Sequence, residues 1–142
     1  MSTRREARRI ALDILFQADV TGEEPEDAMR DWVEAEREVP PFSRELVEGV
    51  AEHLPDIDLL LEEHTEDWPV KRMPALDRTI LRVAIEELRF REDIPDSVAI
   101  NEAVEAANEL STEDSGRFVN GVLGRIAREG AAQEPDASGI ED

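Results

Sequence analysis

Between Val98 and Ile126 the chain carries two apolar stripes of helical period separated by a short polar cluster, the pattern of a helical hairpin. Ile100, Ala103, Val104, Ala107 and Leu110 share one face of the first segment, and Phe118, Val119, Val122, Leu123 and Ile126 share one face of the second. Between them Ser111, Thr112, Asp114 and Ser115 offer oxygens that accept hydrogen bonds from the unpaired N–H groups opening a helix. Gly121 and Gly124 lie one turn apart inside the second segment, where each costs about 1 kcal/mol relative to alanine. Close approach of another helix is the expected compensation.

The same period recurs upstream. Thr3 and Glu6 have the spacing of a capping box, after which Ala7, Ile10, Ala11, Ile14, Leu15 and Ala18 form a buried stripe, with Arg5, Arg8, Leu12 and Phe16 on a neighbouring face. Thr21-Gly22 stops that helix. Pro25 suits the first turn of a second one, running to about Glu38 with Trp32 inward. After Pro40-Pro41, Phe42, Leu46, Val47, Val50, Leu54, Ile57 and Leu61 trace one long face, and Pro55 predicts either a kink or two consecutive helices. The segment Thr65 to Pro74 reads as a loop. A helix from about Ala75 to Arg91 has apolar residues on several sides, which predicts a central position; its exposed strip is expected to hold Asp77, Arg78 and Glu86.

Composition narrows the function classes. The 142 residues suit one domain, expected over 1–129, with an aperiodic acidic tail at 130–142 expected to be disordered. Without cysteine there is no disulfide or thiolate chemistry, and no stretch reads as a signal peptide or a membrane span, so the cytoplasm is the expected compartment. The net charge of −20 disfavours nucleic-acid binding over the surface as a whole. Against that background Arg4, Arg5, Arg8 and Arg9 stand near the N-terminus with only Glu6 opposing them. They read either as a solvated basic end or as a phosphate-binding spot. Lysine occurs once, at Lys71; acid-rich, lysine-poor composition suits a halophilic cytoplasm, and a biased genome produces it equally well.

No constellation points to catalysis. His53 and His64 are separated along a helix by about 16 Å, too far to share a metal ion. Glu102, Glu105 and Glu109 lack the Glu-x-x-His pairs of a di-iron site, and neither a glycine-rich dinucleotide loop nor a nucleophile elbow occurs. No enzyme activity, metal or cofactor is expected.

Four blocks in one order carry a family resemblance: the arginine-rich start with Ala11-Leu12-Asp13-Ile14-Leu15-Phe16-Gln17, then Leu76-Asp77-Arg78-Thr79-Ile80-Leu81-Arg82-Val83-Ala84, then Ala99-Ile100-Asn101-Glu102-Ala103-Val104, then Phe118-Val119-Asn120-Gly121-Val122-Leu123. Together they resemble the NusB family over residues 4 to about 128. The resemblance implies an all-α domain of about seven helices in two subdomains. It implies a role in transcription antitermination: binding of boxA RNA together with NusE, a small-subunit ribosomal protein, within an RNA polymerase antitermination complex at ribosomal RNA operons. By position it assigns RNA contact to Arg4, Arg5, Arg8, Asp114, Arg117 and Phe118, and partner contact to Asp77. For Phe118 burial in the core is the competing reading. The chain departs from the family at Asn108, where lysine is frequent, at Glu86, where tyrosine is frequent, and at Gly124, where aspartate is frequent. An acidic adaptor that binds only proteins is the alternative function, and both monomer and homodimer stay open.

Overall fold

The computed structural model describes residues 3–65 and 68–133. Those residues form six α-helices and one turn of 3-10 helix, with no strand among them: α1 (Arg4–Thr21), α2 (Pro25–Glu34), α3 (Pro41–His64), the 3-10 turn (Val70–Arg72), α4 (Ala75–Phe90), α5 (Asp96–Leu110) and α6 (Glu113–Gln133). The all-α expectation agrees with this, while the α-helices number six against the expected seven or so.

Local chemistry accounts for most boundaries. At the start of α1 the Thr3 hydroxyl accepts from the Glu6 N–H (3.0 Å) while the Glu6 carboxylate accepts from the Thr3 N–H (2.9 Å), the reciprocal capping box. Gly22, at φ 82°, ends the helix in the left-handed conformation. α2 stops at Glu34, short of the expected Glu38, because Glu36 turns left-handed (φ 62°). The Glu36 N–H then donates to Val33 O (2.9 Å) and the Arg37 N–H to Trp32 O (3.0 Å), which together close a Schellman motif. Trp32, expected in the core, lies half-buried, its indole N–H donating to Gln17 (3.2 Å) and its ring under the Arg37 guanidinium (4.1 Å). α3 is one helix through Pro55, not two. The hairpin of α5 and α6 forms as expected, with the Thr112 hydroxyl accepting from the Ser115 N–H (3.0 Å) at the start of α6. α6 continues to Gln133, and residues 134–142 of the expected tail lie outside the described residues.

Every other long helix except α2 packs against α4. Ile80, Leu81, Val83, Ala84 and Ile85 join Ile14 and Leu15 of α1, Leu46, Val47, Ile57 and Leu61 of α3 and Leu123 and Ile126 of α6 in one core. Full burial of each such aliphatic side chain contributes about 1.5–3 kcal/mol. α4 is central, as its sequence suggests, but it leaves no exposed strip. Asp77 and Glu86 retain 1% and 3% of their accessible surface. Arg78 is half-buried, bridging Asp19 on α1 and donating to the carbonyls of Val70 (2.9 Å) and Met73 (3.1 Å). A helix surrounded by four others must place its polar residues inward, and each survives there by finding a partner.

The glycines distribute differently from the expectation. Among the described residues no neighbouring backbone comes within 4 Å of a Cβ added at Gly121 or Gly124, which would first meet arginines of their own helix, Arg125 at 3.7 Å and Arg128 at 3.4 Å. Close approaches occur instead at Gly49 and Gly116, where an added Cβ would collide with the Glu86 carboxylate and with the Asn108 side chain. Glu86 fills the space beside Gly49 and accepts from His53 Nδ1 (2.9 Å), whose ring stacks on Phe90 at 3.8 Å. Burial raises the Glu86 carboxyl above its ordinary value, with His53 and Arg91 opposing. Partial burial pulls His53 down, yet the Glu86 hydrogen bond and charge, with Glu52 beside it, lift the imidazole above 6.5 overall.

The linkage has one sign. A raised folded-state pKa means that the His53 contribution is complete below its unfolded value and fades as pH climbs through the folded one; Glu86 behaves likewise from a lower starting point. Stability is therefore expected to decline from about pH 6 to about pH 8. Urea midpoints at both pH values check this, and His53→Gln, which keeps a donor for Glu86 but does not titrate, should flatten the decline. Identical slopes for the two proteins would contradict it.

Candidate nucleic-acid interface

Because the capping box fixes where α1 begins, its first two turns aim the four arginines in two directions, Arg4 and Arg8 over Phe42, Arg5 and Arg9 towards α5. Arg4 and Arg5 point outward, their side chains 54% and 50% exposed. The Arg4 guanidinium rests 4.4 Å above the Phe42 ring and reaches Asp93 at 3.4 Å. Arg5 donates to Glu102 (3.1 and 3.2 Å) and to Glu105, and these carboxylates, Glu102 foremost, raise its already high pKa. Arg9 donates to Glu109 (2.8 Å), and that bond holds the Glu109 carboxyl below its usual range. The basic spot is thus faced by an acidic row along α5, which any phosphate must displace.

Arg8 does not share this surface. Its side chain is 9% exposed, and Nε donates at 2.8 Å to Glu87, itself 1% exposed. Burial raises the Glu87 carboxyl, and the Arg8 charge opposes that rise. A guanidinium so enclosed has little to offer an incoming phosphate, so the expected RNA contact at Arg8 is corrected to an internal ion pair.

The other predicted residues lie beyond the far end of α5. From Glu102 to Leu110 the helix advances about 12 Å, and the chain then turns into α6. There Asp114 and Arg117 pair with each other, 87% and 72% exposed, and are open to solvent. Phe118 is half-buried, its ring meeting Trp68 edge-on with centroids 4.8 Å apart at 64°. The ring packs in part against the core and keeps the rest of its surface accessible. The sequence reading missed Trp68, which sits in a proline-flanked segment without periodicity.

Asp77 is not on this surface or on any other. Its Oδ2 accepts from the Ser115 hydroxyl (3.0 Å), its Oδ1 is buried with no partner among the described residues, and the residue is 1% exposed. The expected partner contact is therefore corrected. Asp77 ties the start of α6 to the start of α4, and so it positions Asp114, Arg117 and Phe118.

The arrangement of exposed arginines beside α5 and an accessible aromatic beyond its end can be set against known proteins. A family model described as the NusB family matches residues 5–128. The chain belongs to the NusB family. Its relatives include the transcription antitermination protein NusB of Salinispora arenicola, 46% identical over 89% of this chain and 96% of that protein. The NusB of Symbiobacterium thermophilum is 44% identical over 95% of this chain and 97% of its own length. Among solved structures, T. maritima NusB superposes with a TM-score of 0.81 at 37% identity, covering 90% of this chain and 92% of that one. A crystal structure of the antitermination factors NusB and NusE in complex with dsRNA matches with a TM-score of 0.79 at 27% identity, covering 89% and 96%. NusB proteins are transcription antitermination factors, and this chain is one of that family rather than an enzyme. Among the described residues no helix is long and apolar enough to cross a membrane.

Proposed function

We propose that this NusB-family chain binds boxA RNA together with NusE and acts within an RNA polymerase antitermination complex on ribosomal RNA operons in the cytoplasm. The observation that carries the reading is the pair of outward guanidinium groups at Arg4 and Arg5, half-exposed on an otherwise acidic chain, in a fold whose relative forms a complex with NusE and RNA. Arginine supplies the phosphate contact, and the accessible part of Phe118 supplies a face on which an unpaired base stacks, a contact of about 1–3 kcal/mol. Arg117 lies one residue away and adds charge at the same end.

Arg4→Ala combined with Arg5→Ala is expected to weaken boxA binding about tenfold and to make the already shallow salt dependence shallower, by about 0.7 per lost contact. Fluorescence anisotropy at fixed salt measures both. An affinity within a factor of two of wild type would contradict this footprint.

The engagement of Arg5 and Arg9 by Glu102, Glu105 and Glu109 favours the second reading, an adaptor that binds proteins only. That reading predicts no RNA binding by the chain whether or not NusE is present.

A further inference from the structure

Phe42, at the start of α3, is surrounded by three guanidinium groups from separate parts of the chain: Arg4 at 4.4 Å from the ring centroid, Arg8 at 5.3 Å and Arg91 at 5.3 Å. An aromatic face attracts cations by its quadrupole but carries no net charge, so it gathers arginines without neutralising them. Neutralisation falls to nearby carboxylates, and these differ in kind. Arg8 is committed to the buried Glu87. Arg91, which follows the end of α4, donates to Glu45 (2.8 Å) and through Nε and Nη2 to the two oxygens of Asp93 (3.2 and 3.3 Å). Arg4 reaches the same Asp93 from the other side (3.4 Å).

Asp93 thus sits in a fork between two arginines, one of them Arg4 of the RNA edge, in the manner of an oxyanion bound by paired guanidinium groups. It is 51% exposed, and its bonds are long, the kind of surface pair that contributes little to stability. Hydrogen bonds from Arg91 hold its carboxyl below the usual range, so it is an anion at neutral pH. A phosphodiester offers the same two-oxygen face with the same charge.

We propose that Arg91 is a further phosphate-contacting residue of the RNA edge, acting beside Arg4, and that Asp93 occupies their shared phosphate position when RNA is absent. The inference rests on the RNA-binding reading above. It extends that edge around the N-terminus of α1, away from α5, to a residue in the α4–α5 connection. RNA entry then exchanges one anion for another in the fork, and the carboxylate weakens binding by competition.

The test is boxA titration with the full chain in the presence of NusE. Arg91→Ala is expected to weaken binding about fivefold, the equivalent of one surface ion pair, and to reduce the salt slope by about 0.7. Asp93→Asn, which keeps the shape and removes the charge, is expected to strengthen it by about threefold. Asp56→Asn serves as the control: it makes the same change in net charge at an exposed site on α3, about 21 Å along that helix from Phe42. In the Arg91→Ala background the advantage of Asp93→Asn over Asp56→Asn should shrink. Circular dichroism verifies that Arg91→Ala, which also loses the Glu45 bond, is folded; Asp93→Asn gives an answer independent of that variant. If wild type binds and neither Arg91→Ala nor Asp93→Asn changes the affinity by more than a factor of two, the proposal is overturned while the RNA-binding reading stands. Equal gains from Asp93→Asn and Asp56→Asn overturn the role of Asp93. No binding by wild type with NusE overturns both readings.

Discussion

Arg8→Ala is expected to destabilise the fold by about 3–5 kcal/mol, because it leaves the Glu87 carboxylate charged and nearly enclosed with its main partner removed. The deficit depends on pH with a definite sign. Burial already places the Glu87 pKa above 4.5 in the folded state, and Arg8 is the principal influence pulling it back. Without Arg8 the folded-state value rises further, so the carboxyl's contribution is retained at acidic pH and lost as pH rises through that value. The gap between variant and wild type should widen from about pH 5 to about pH 8 in urea unfolding. Replacing both partners, Arg8→Met with Glu87→Leu, should recover most of the loss, since a buried pair exchanged for apolar residues of similar size is often neutral. A full-strength Arg8→Ala protein would contradict the ion pair. It also follows that reduced RNA binding by Arg8→Ala would report lost structure, which is why the footprint is tested at Arg4 and Arg5.

Asp77→Arg is expected to have an effect at least as large, about 3–5 kcal/mol, for a different combination of reasons. The site is 1% exposed and gives a longer side chain no room; the Ser115 hydroxyl loses its acceptor; and a cation replaces an anion in the first turn of α4, where the helix dipole alone makes a difference of about 0.3–1 kcal/mol. Asp77→Asn keeps an acceptor for Ser115 and should cost about 1–2 kcal/mol. Differential scanning calorimetry of the two variants distinguishes the buried anchor from a surface contact. If Asp77→Arg melts with wild type, Asp77 is exposed in solution and the anchor is wrong. If the anchor is right, loss of NusE binding by that variant says nothing about where NusE docks.

What the sequence made legible was local. The capping box at Thr3 and Glu6, the turn at Thr112 to Ser115 and the stripes of α1, α5 and α6 all arise from residues within a few positions of one another, so a reading of period and spacing recovers them. The polar interior of α4 was not legible. Glu87 finds its partner 79 residues upstream and Asp77 finds Ser115 38 residues downstream, and nothing near either residue distinguishes it from a solvated side chain. A helix with apolar residues on several sides offered a warning, since it leaves no outside on which to place the rest. The glycines make the same point: Gly121 and Gly124 drew notice by sitting in an apolar stripe, whereas Gly49 is the one pressed against a distant carboxylate. At the site, outward Arg4 and Arg5 follow from the helix start. Arg8 lies one turn before the buried Leu12, and that neighbour was the available sign that it faces inward. Arg91 had no local sign, because only the folded chain brings it to Phe42.

The joint RNA-binding surface proposed for this chain and NusE is probed by titration of boxA RNA with the purified chain, alone and then with NusE at saturation. Carboxylates face the arginines beside α5, and this limits counterion release, so the chain alone should bind weakly and fall off with salt at a slope of about −0.7 for each phosphate contact. A basic partner docked beside it extends the positive surface and should raise the affinity at the same salt. Binding should be weak with the chain alone and clearly tighter with NusE; equal affinity in the two titrations, or none in either, would rule out the joint surface.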